Sequence, residues 1–402
     1  MQRNRPGPDM LFSLMLALIR PGLRGFDRLY AFMNLIWNCG QKNRSNTLSG
    51  LAGICGMVLA MLIPLSAVAS FAGHLEPFRS VPVPKSNPQT PEKIELGKKL
   101  FFDRRLSGDG TMSCASCHIP EQAYTDGQDI SLSYPTTMNW RNSPTLINVA
   151  LYKNLFHDGR VKTLEDQALF PMLSAFEMNQ NLDFVEEEIR VVPEYAEAFQ
   201  KVFGGEPNRE RIAMAIAAFE RTLVSVNAPY DRFLKGDRKA LTEDALKGFE
   251  IFNGKGTCAD CHDGVNLSDD KFYALHVPEN PVLLNDPRVT ATMRFVAKVY
   301  HDKDYRNLKE DPGRYLITKD KKDWKAFRTP TLREIARSGP YMHNGVLNTL
   351  DEVIEFFNAG GGKGNRHLKP LGLSEEEKKH LKAFLVEALT GEELKFVYPV
   401  IP

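Results

Sequence analysis

Cys114-Ala115-Ser116-Cys117-His118 is one of two C-x-x-C-H stretches in the sequence, and Cys258-Ala259-Asp260-Cys261-His262 is the other. In this pattern the two thiols add to the vinyl groups of a heme, and the adjacent His becomes the proximal ligand of the iron. Two such stretches could instead supply the four ligands of a zinc site, or a thioredoxin-like redox pair. The N-terminal segment described below predicts export, and an exported protein rarely keeps four free thiols. The doubled pattern therefore predicts two covalently bound c-type hemes.

A helix is predicted before each of these stretches. Gly97-Lys98-Lys99-Leu100-Phe101 precedes the first and Gly248-Phe249-Glu250-Ile251-Phe252 precedes the second, so the chain contains a weak internal repeat. Apolar residues at helical spacing predict a core helix over 208–225. Capped helix starts are predicted at Thr90, Thr163, Thr349 and Ser374. Strand-like alternation is scarce, and the predicted fold is mainly α, with two cytochrome c-like heme domains over 91–235 and 236–402.

The bulk composition is that of an ordinary globular protein. Of 402 residues, 43% are hydrophobic and 25% are charged, which predicts a packed core. The 51 basic and 50 acidic residues give a formal net charge of +1. Because the Lys and Arg residues are scattered rather than clustered into a stripe, nucleic-acid binding is not predicted.

The first 73 residues differ from the rest of the chain. Basic side chains dominate up to Arg44, and the segment from Asn46 to Gly73 carries no charged side chain. This segment is long enough to span a bilayer, and it ends in Ala67-Val68-Ala69, a pattern suited to signal peptidase. We therefore predict a basic leader over 1–73, acting as a cleaved signal peptide or a retained anchor, a linker over 74–90 and a periplasmic location for the remainder.

Beyond the two heme motifs, six further stretches carry a family resemblance. They are Leu96–Asp103, Arg141–Thr145, Asp158–Arg160, Glu177-Met178, Phe327–Arg333 and Pro340–Gly345. With these stretches the chain resembles the bacterial diheme cytochrome c peroxidases and the related MauG-type enzymes. The resemblance implies two packed heme domains with the hemes linked across the domain interface.

The resemblance implies that the first heme is the peroxide site. His118 would hold its iron, and Gln167 and Glu177 match the polar residues of the distal pocket. The chemistry agrees, because cleaving an O–O bond requires a proton to move between its two oxygens, and a carboxylate in a dry pocket can move it. Without the resemblance, the sequence would favour interpreting Glu177 as a solvated loop charge.

The second heme, on His262, would transfer electrons. Its sixth ligand in the family is usually Met or Tyr, whereas the matching residue here is Phe357, which cannot bind iron. Phe357 belongs to an apolar helical stripe and is expected in the core, together with Leu350, Val353 and Ile354. Met342 is an alternative ligand.

The sequence departs from the family pattern at two further positions, and the resemblance also implies a metal site. Peroxidases of this family carry a distal His that moves on activation, and Tyr134 stands at the matching position, which suggests an open first site. His157 replaces a Trp that lies between the hemes, and it could be a polar link or a ligand. A calcium ion is expected between the domains, held by the Asn142 side chain and the carbonyls of Ser338 and Pro340.

Three functions remain open from the sequence. The first is reduction of hydrogen peroxide with electrons from a small periplasmic c-type cytochrome or copper protein. The second is MauG-like oxidation of a protein side chain, and the third is non-catalytic electron transfer. The resemblance also allows a homodimer.

Overall fold

Helices make up almost all of the regular structure in the computed structural model, which describes residue 78 and residues 80–402. The α-helices are α1 (Pro91–Phe102), α2 (Cys114–Cys117), α3 (Leu164–Leu173), α4 (Leu182–Arg190), α5 (Pro193–Phe203), α6 (Arg209–Glu220), α7 (Pro229–Leu234), α8 (Glu243–Asn253), α9 (Pro281–Leu284), α10 (Pro287–Val299), α11 (Tyr315–Thr318), α12 (Leu350–Asn358) and α13 (Glu375–Ala383). Two short strands, β1 (Phe272–Tyr273) and β2 (Phe327–Arg328), pair antiparallel. The prediction of a mainly α fold is confirmed.

The described part of the chain begins within the predicted linker. The leader over 1–73 lies outside the described residues, as does the first part of the linker over 74–90. Thr90 caps α1 as predicted, because its Oγ1 accepts a hydrogen bond from the backbone N–H of Lys93 at 3.2 Å. Pro91 follows at the first helical position, where a missing N–H removes no helical hydrogen bond. Within the part of the chain that the structure describes, the helices are too short or too polar to span a bilayer.

The other predicted helix starts are also capped. The side chain at each cap accepts a hydrogen bond from a backbone N–H in the first helical turn, and this holds for Thr163, Thr349 and Ser374. The core helix predicted over 208–225 begins after its cap, Asn208, but ends at Glu220. It stops early because the following backbone is used elsewhere: the carbonyl of Leu223 accepts a hydrogen bond from the N–H of Asn148 at 2.8 Å.

Two helix pairs are built alike, α1 packed on α6 and α8 packed on α13. Each pair crosses at a glycine. A Cβ on Gly97 would overlap the carbonyl oxygen of Ala215, and a Cβ on Gly248 would overlap that of His380. The close approach of the two backbones therefore requires glycine at both positions, which explains why the sequence repeats it before each C-x-x-C-H stretch.

An aromatic pair follows each glycine crossing. The rings of Phe101 and Phe219 lie 5.1 Å apart in the first pair, and those of Phe252 and Phe384 lie 5.1 Å apart in the second. All four side chains are buried. Each phenylalanine therefore lies four residues after the crossing point on its own helix of the pair, at Gly97, Ala215, Gly248 or His380.

A second segment is repeated, which the sequence analysis did not find. Ser143-Pro144-Thr145-Leu146 in the first half matches Thr329-Pro330-Thr331-Leu332 in the second. Each is followed by a loop that closes with an antiparallel bridge, Leu155 with Val161 and Tyr341 with Leu347. Each loop then leads into a threonine-capped helix, α3 or α12.

The two repeated segments contact each other through matching residues. The backbone N–H of Asn142 donates to the carbonyl of His343 at 2.8 Å, and that of Arg328 donates to the carbonyl of His157 at 2.8 Å. Asn142 and Arg328 hold the same place in the repeat, as do the two histidines. The halves are thus joined by a reciprocal pair of hydrogen bonds.

Three clusters of buried apolar side chains form the core. The first lies within residues 96–223, and the second within residues 230–389. The third combines Ile130, Trp140 and Phe176 of the first half with residues from 283–316. The helices α9 to α11 therefore pack against the loop that precedes Glu177.

The last residues of the chain return to the first half. Phe396 stacks on Phe102 with ring centroids 5.1 Å apart, and Leu394 packs against the same apolar cluster. The Tyr398 hydroxyl donates to the Glu121 carboxylate at 2.8 Å. Residues 394–398 thus complete the surface of the first core.

Candidate heme-binding active site

The first C-x-x-C-H loop presents a histidine ready to bind a metal. Cys114–Cys117 form the short helix α2, and His118 follows it. The Nδ1 of His118 lies 2.9 Å from the carbonyl oxygen of Tyr124. A carbonyl can only accept, so Nδ1 carries the proton and Nε2 keeps its lone pair. Burial lowers the pKa of His118 to about 4, which keeps the ring neutral as an iron ligand must be.

The second loop repeats this arrangement. His262 follows a 3₁₀ turn over Cys258–Asp260, and its Nδ1 lies 2.9 Å from the carbonyl oxygen of Leu267. Burial lowers the pKa of His262, so this ring is also neutral, with its proton on Nδ1. Hydrogen bonds of this kind orient metal-binding histidines and fix their tautomer. Both predicted proximal ligands are therefore held in the same way.

One cavity brings the predicted residues of the first site together. It contains about 1160 Å³ of space, including the open solvent at its mouth. Cys114, Cys117 and His118 line it, and Gln167 and Glu177 line it as well. Other residues on its wall include Asn142, Tyr152, His157, Arg160, Glu220 and Arg328. The two thiols and the neutral imidazole on its wall fit a heme held at this motif.

The two polar residues reach the cavity from neighbouring segments. Gln167 lies on α3, and Glu177 lies in the loop that follows this helix. The loop is held by Phe176, whose ring packs edge-on against Trp140 at 5.3 Å. The nearest hydrogen-bond donor to the Glu177 carboxylate is Asn139 Nδ2, at a long 3.5 Å. The carboxylate is half-buried, so it combines a cavity-facing position with few fixed partners.

A buried ion network fixes the wall beside Asn142. Arg141 binds Asp311 through Nε and Nη2, at 2.6 and 2.9 Å, and Asp158 through Nη1 at 2.6 Å. Burial opposes ionisation of Asp158, but Arg160 and Arg141 outweigh it and lower the pKa of this carboxyl. Because all partners stay charged and paired, the network ties residues from distant parts of the chain to one geometry.

His157 lies on the cavity wall and at the contact between the halves. Its Nε2 donates to the carbonyl of Asn142 at 3.0 Å. Burial, with the nearby Arg141, lowers its pKa to about 4, so the ring is neutral. The matching His343 is buried too, and its ring stacks on Phe327 with centroids 3.7 Å apart. In this arrangement His157 links polar groups rather than presenting Nε2 to a metal.

Sequence reasoning missed two features of this wall. The guanidinium of Arg328 lies 3.4 Å above the ring centroid of Tyr152, and the Tyr152 hydroxyl accepts a hydrogen bond from the N–H of Thr331. Glu220 is a buried carboxyl at the end of an otherwise apolar helix face. Because Thr329-Pro330-Thr331 repeats Ser143-Pro144-Thr145, the sequence could have placed Arg328 beside this wall. No pattern in the sequence indicates an interaction partner for Glu220.

Comparison with known proteins agrees with this geometry. The sequence model described as "Di-haem cytochrome c peroxidase" matches residues 91–239. The chain is 45% identical to the cytochrome-c peroxidase IdrP1 of Denitromonas iodatirespirans over 350 residues, which are 84% of this chain and 93% of that one. The chain belongs to the diheme cytochrome c peroxidase family. Membership implies two heme groups, and it confirms the predicted family and the prediction of a peroxidase-type oxidoreductase.

MauG proteins are also relatives in this family. The chain is 37% identical to the methylamine utilization protein MauG of Methylorubrum extorquens, covering 80% of this chain and 85% of that one. A solved MauG-like protein, described as associated with microbial copper homeostasis, superimposes with a TM-score of 0.65 at 30% identity. That match covers 78% of this chain and 94% of the solved one.

Phe357, which the sequence analysis matched to the family's second axial position, lies on an incompletely buried helix face. Leu350 and Ile354 of α12 are buried as predicted, but Val353 and Phe357 are only half-buried, so the expectation of Phe357 as a core residue is wrong. The Phe357 ring lies 5.5 Å from that of Phe356 and perpendicular to it. Half-buried apolar groups on this face suit contact with a flat apolar group.

Phe357→Met is expected to convert the heme at His262 to a low-spin His/Met site with a raised potential. Axial-ligand identity is a principal determinant of heme potential, and phenylalanine supplies no ligand. The measurement is magnetic resonance and near-infrared spectroscopy of wild type and variant, with Phe356→Met as the matched control. A low-spin spectrum in the wild type would show that another residue, Met342 first, ligates this iron.

The structure does not bring the remaining predicted site residues together into a site. Tyr134 is not among the described residues that line the cavity. Its backbone N–H donates a hydrogen bond to the carbonyl of Phe176 at 3.0 Å. The Asn142 Nδ2 donates to the carbonyl of Gln128 at 2.7 Å. Joint binding of calcium by Asn142, Ser338 and Pro340 stays a prediction.

Proposed function

We propose that this protein reduces hydrogen peroxide to water in the first cavity, using electrons that a small periplasmic c-type cytochrome or copper protein delivers through a second heme. The observation that carries the proposal is the single cavity that unites the Cys114–His118 motif with Gln167 and Glu177. The names of relatives such as cytochrome-c peroxidase IdrP1 support it.

In this proposal each motif holds one heme c covalently. Cys114 and Cys117 attach the first, with His118 as its iron ligand, and Cys258, Cys261 and His262 do the same for the second. When bound, the first heme supplies the iron that takes up peroxide and passes electrons to it. The carbonyl hydrogen bonds at both histidines hold each imidazole in the orientation that an axial ligand needs.

The protein's own part in the chemistry is proton transfer. Reduction consumes one hydrogen peroxide, two electrons and two protons and yields two waters. Glu177 takes the proton from the inner oxygen of peroxide and returns it to the outer oxygen, which then leaves as water. Gln167 orients the peroxide by hydrogen bonding, because an amide both donates and accepts without changing charge. A carboxylate with few fixed partners can exchange a proton readily.

The domain arrangement is part of the same proposal. The segments over 91–235 and 236–402 form the peroxide and electron-transfer domains, with the hemes linked across their interface. The reciprocal backbone hydrogen bonds of Asn142 with His343 and of Arg328 with His157 support such a link. They fix the two halves against each other beside the cavity wall.

A second candidate is MauG-like oxidation of a side chain on another protein. Tyr134 favours it, because the distal His of the peroxidases is replaced and the first site needs no opening step. The 37% identity to the Methylorubrum extorquens MauG gives further support. Phe357, which is neither Met nor Tyr, distinguishes the chain from both groups.

Steady-state turnover separates these functions. With hydrogen peroxide and a reduced small c-type cytochrome or copper protein, we expect donor oxidation at two electrons per peroxide. The control omits peroxide. If the hemes accept electrons from the donor but peroxide causes no further oxidation, the protein is an electron carrier. If peroxide reacts and no donor is oxidised, the MauG-like function is favoured.

A further inference from the structure

Glu220 is a carboxyl that the proposed mechanism does not use, although it lines the same cavity. It is the last residue of α6, and its side chain is 4% exposed. Its Oε2 has no hydrogen-bond partner among the described residues. Burying a polar oxygen without a partner is unfavourable, and more so when the group is charged, so such an oxygen calls for an explanation.

The neighbouring arginine forms no ion pair with this carboxyl. Arg221 instead binds Glu165 of α3 through Nη2, at 2.8 and 3.0 Å. On the α1 side, the Nζ of Lys93 donates to Asn87 and Pro88. Glu165 and Arg221 are therefore paired with each other, and Glu220 lies beside this pair without joining it.

The carboxyl faces the heme-attachment loop. Glu220 and Cys114 both line the cavity, and burial raises the pKa of the Cys114 thiol. Burial also raises the pKa of Glu220 itself to about 8, with Arg221 opposing the rise and Glu165 adding to it. Near neutral pH the group is therefore mainly protonated and uncharged.

The second half of the protein provides an internal comparison. Phe219 in α6 corresponds to Phe384, because each packs at 5.1 Å on the phenylalanine that follows a glycine crossing. The residue after each is Glu220 in the first half and Leu385 in the second. Leu385 is buried in an apolar cluster. The repeated unit therefore packs well without a carboxyl, and its presence in the first half calls for another explanation.

We propose that Glu220 couples the oxidation of the heme in the first cavity to the release of a proton. When one electron leaves this heme for an acceptor, the cavity gains one positive charge. Glu220 then releases one proton to solvent, and the resulting carboxylate restores the charge balance in a site of low dielectric. The inference rests on the proposed heme at Cys114–His118 but not on peroxide turnover.

Potentiometric titration of the holoprotein tests this, with each heme followed by its own spectrum. In wild type the midpoint potential of the first heme should fall as the pH rises from about 6 to about 9.5, because the carboxylate stabilises the oxidised state. In Glu220→Gln this slope should be lost, and the potential should stay at its low-pH value. Glu220→Leu, which introduces the residue type of the matching Leu385, should lose the slope as Glu220→Gln does.

The matched control is Glu197→Gln, the same change at an exposed position on α5, which should keep the wild-type slope. A wild-type slope in both Glu220 variants, or a first heme whose wild-type potential is independent of pH, would overturn the inference. Because no peroxide is present, a protein that fails in turnover can still pass this test. A chain that carries no heme at the first motif would instead refute the proposed function.

Discussion

Replacing Glu177 by Gln is expected to slow the reaction with hydrogen peroxide by ~10²–10⁴-fold while leaving both hemes in place. The amide keeps the size of the side chain but cannot carry a proton from one peroxide oxygen to the other. Glu177 lines the cavity with the first C-x-x-C-H motif, and its one long hydrogen bond, to Asn139 at 3.5 Å, is too weak to position the loop. The structure should therefore tolerate the substitution.

Stopped-flow absorbance of the reduced protein mixed with peroxide gives the rate constant directly. Glu194→Gln, the same change at an exposed position in the first turn of α5, is the matched control and should react as the wild type does. Peroxide binding and proton transfer are separated by varying the peroxide concentration. An unchanged rate in Glu177→Gln would remove this residue from the mechanism and favour another proton carrier on the cavity wall.

The double variant Cys258→Ala/Cys261→Ala is expected to retain one covalent heme where the wild type retains two. Thioether bonds survive denaturation, whereas the iron bond to His262 does not. The mass of the denatured chain should therefore drop by one heme in the variant, in addition to the loss of two sulfur atoms. Peroxide should still bind at the first heme, but the supply of electrons from the donor should cease.

The matched control for this experiment comes from the other half of the chain. Cys114→Ala/Cys117→Ala should also lose one heme, but it should lose the reaction with peroxide as well. If each double variant lacks a different heme by its spectrum, the two motifs act independently. A wild-type chain whose denatured mass includes no heme would contradict the reading of both motifs, and would revive the zinc alternative.

Local signals in the sequence predicted the parts of the fold that depend on near neighbours. A threonine cap before Pro91 and the caps at Thr163 and Thr349 lie where expected, because capping needs only residues within one helical turn. The spacing within each C-x-x-C-H stretch likewise predicted the two heme-binding motifs without tertiary information. The resemblance to a family brought Gln167 and Glu177 together, and the cavity contains both.

Long-range contacts were not predictable in the same way. The Nε2 of His157 binds a backbone carbonyl, that of Asn142, and no side-chain pattern reveals such a partner. No pattern in the sequence singles out Glu220, and only the packing of α6 shows that it is buried. Phe357 belongs to the apolar stripe on α12, but this stripe is wider than the core that it faces. Leu350 and Ile354 are buried, whereas Val353 and Phe357 stay partly accessible.

The return of residues 394–398 to the first half has a consequence for the order of folding. Phe396 covers Phe102 and meets Tyr124, the residue whose carbonyl holds His118. The ribosome makes the first half long before these residues exist. Until residues 394–398 pack onto it, the apolar surface around Phe102 and Tyr124 therefore lacks its cover. The core of the first half thus cannot be completed until residues 236–393 have also been made.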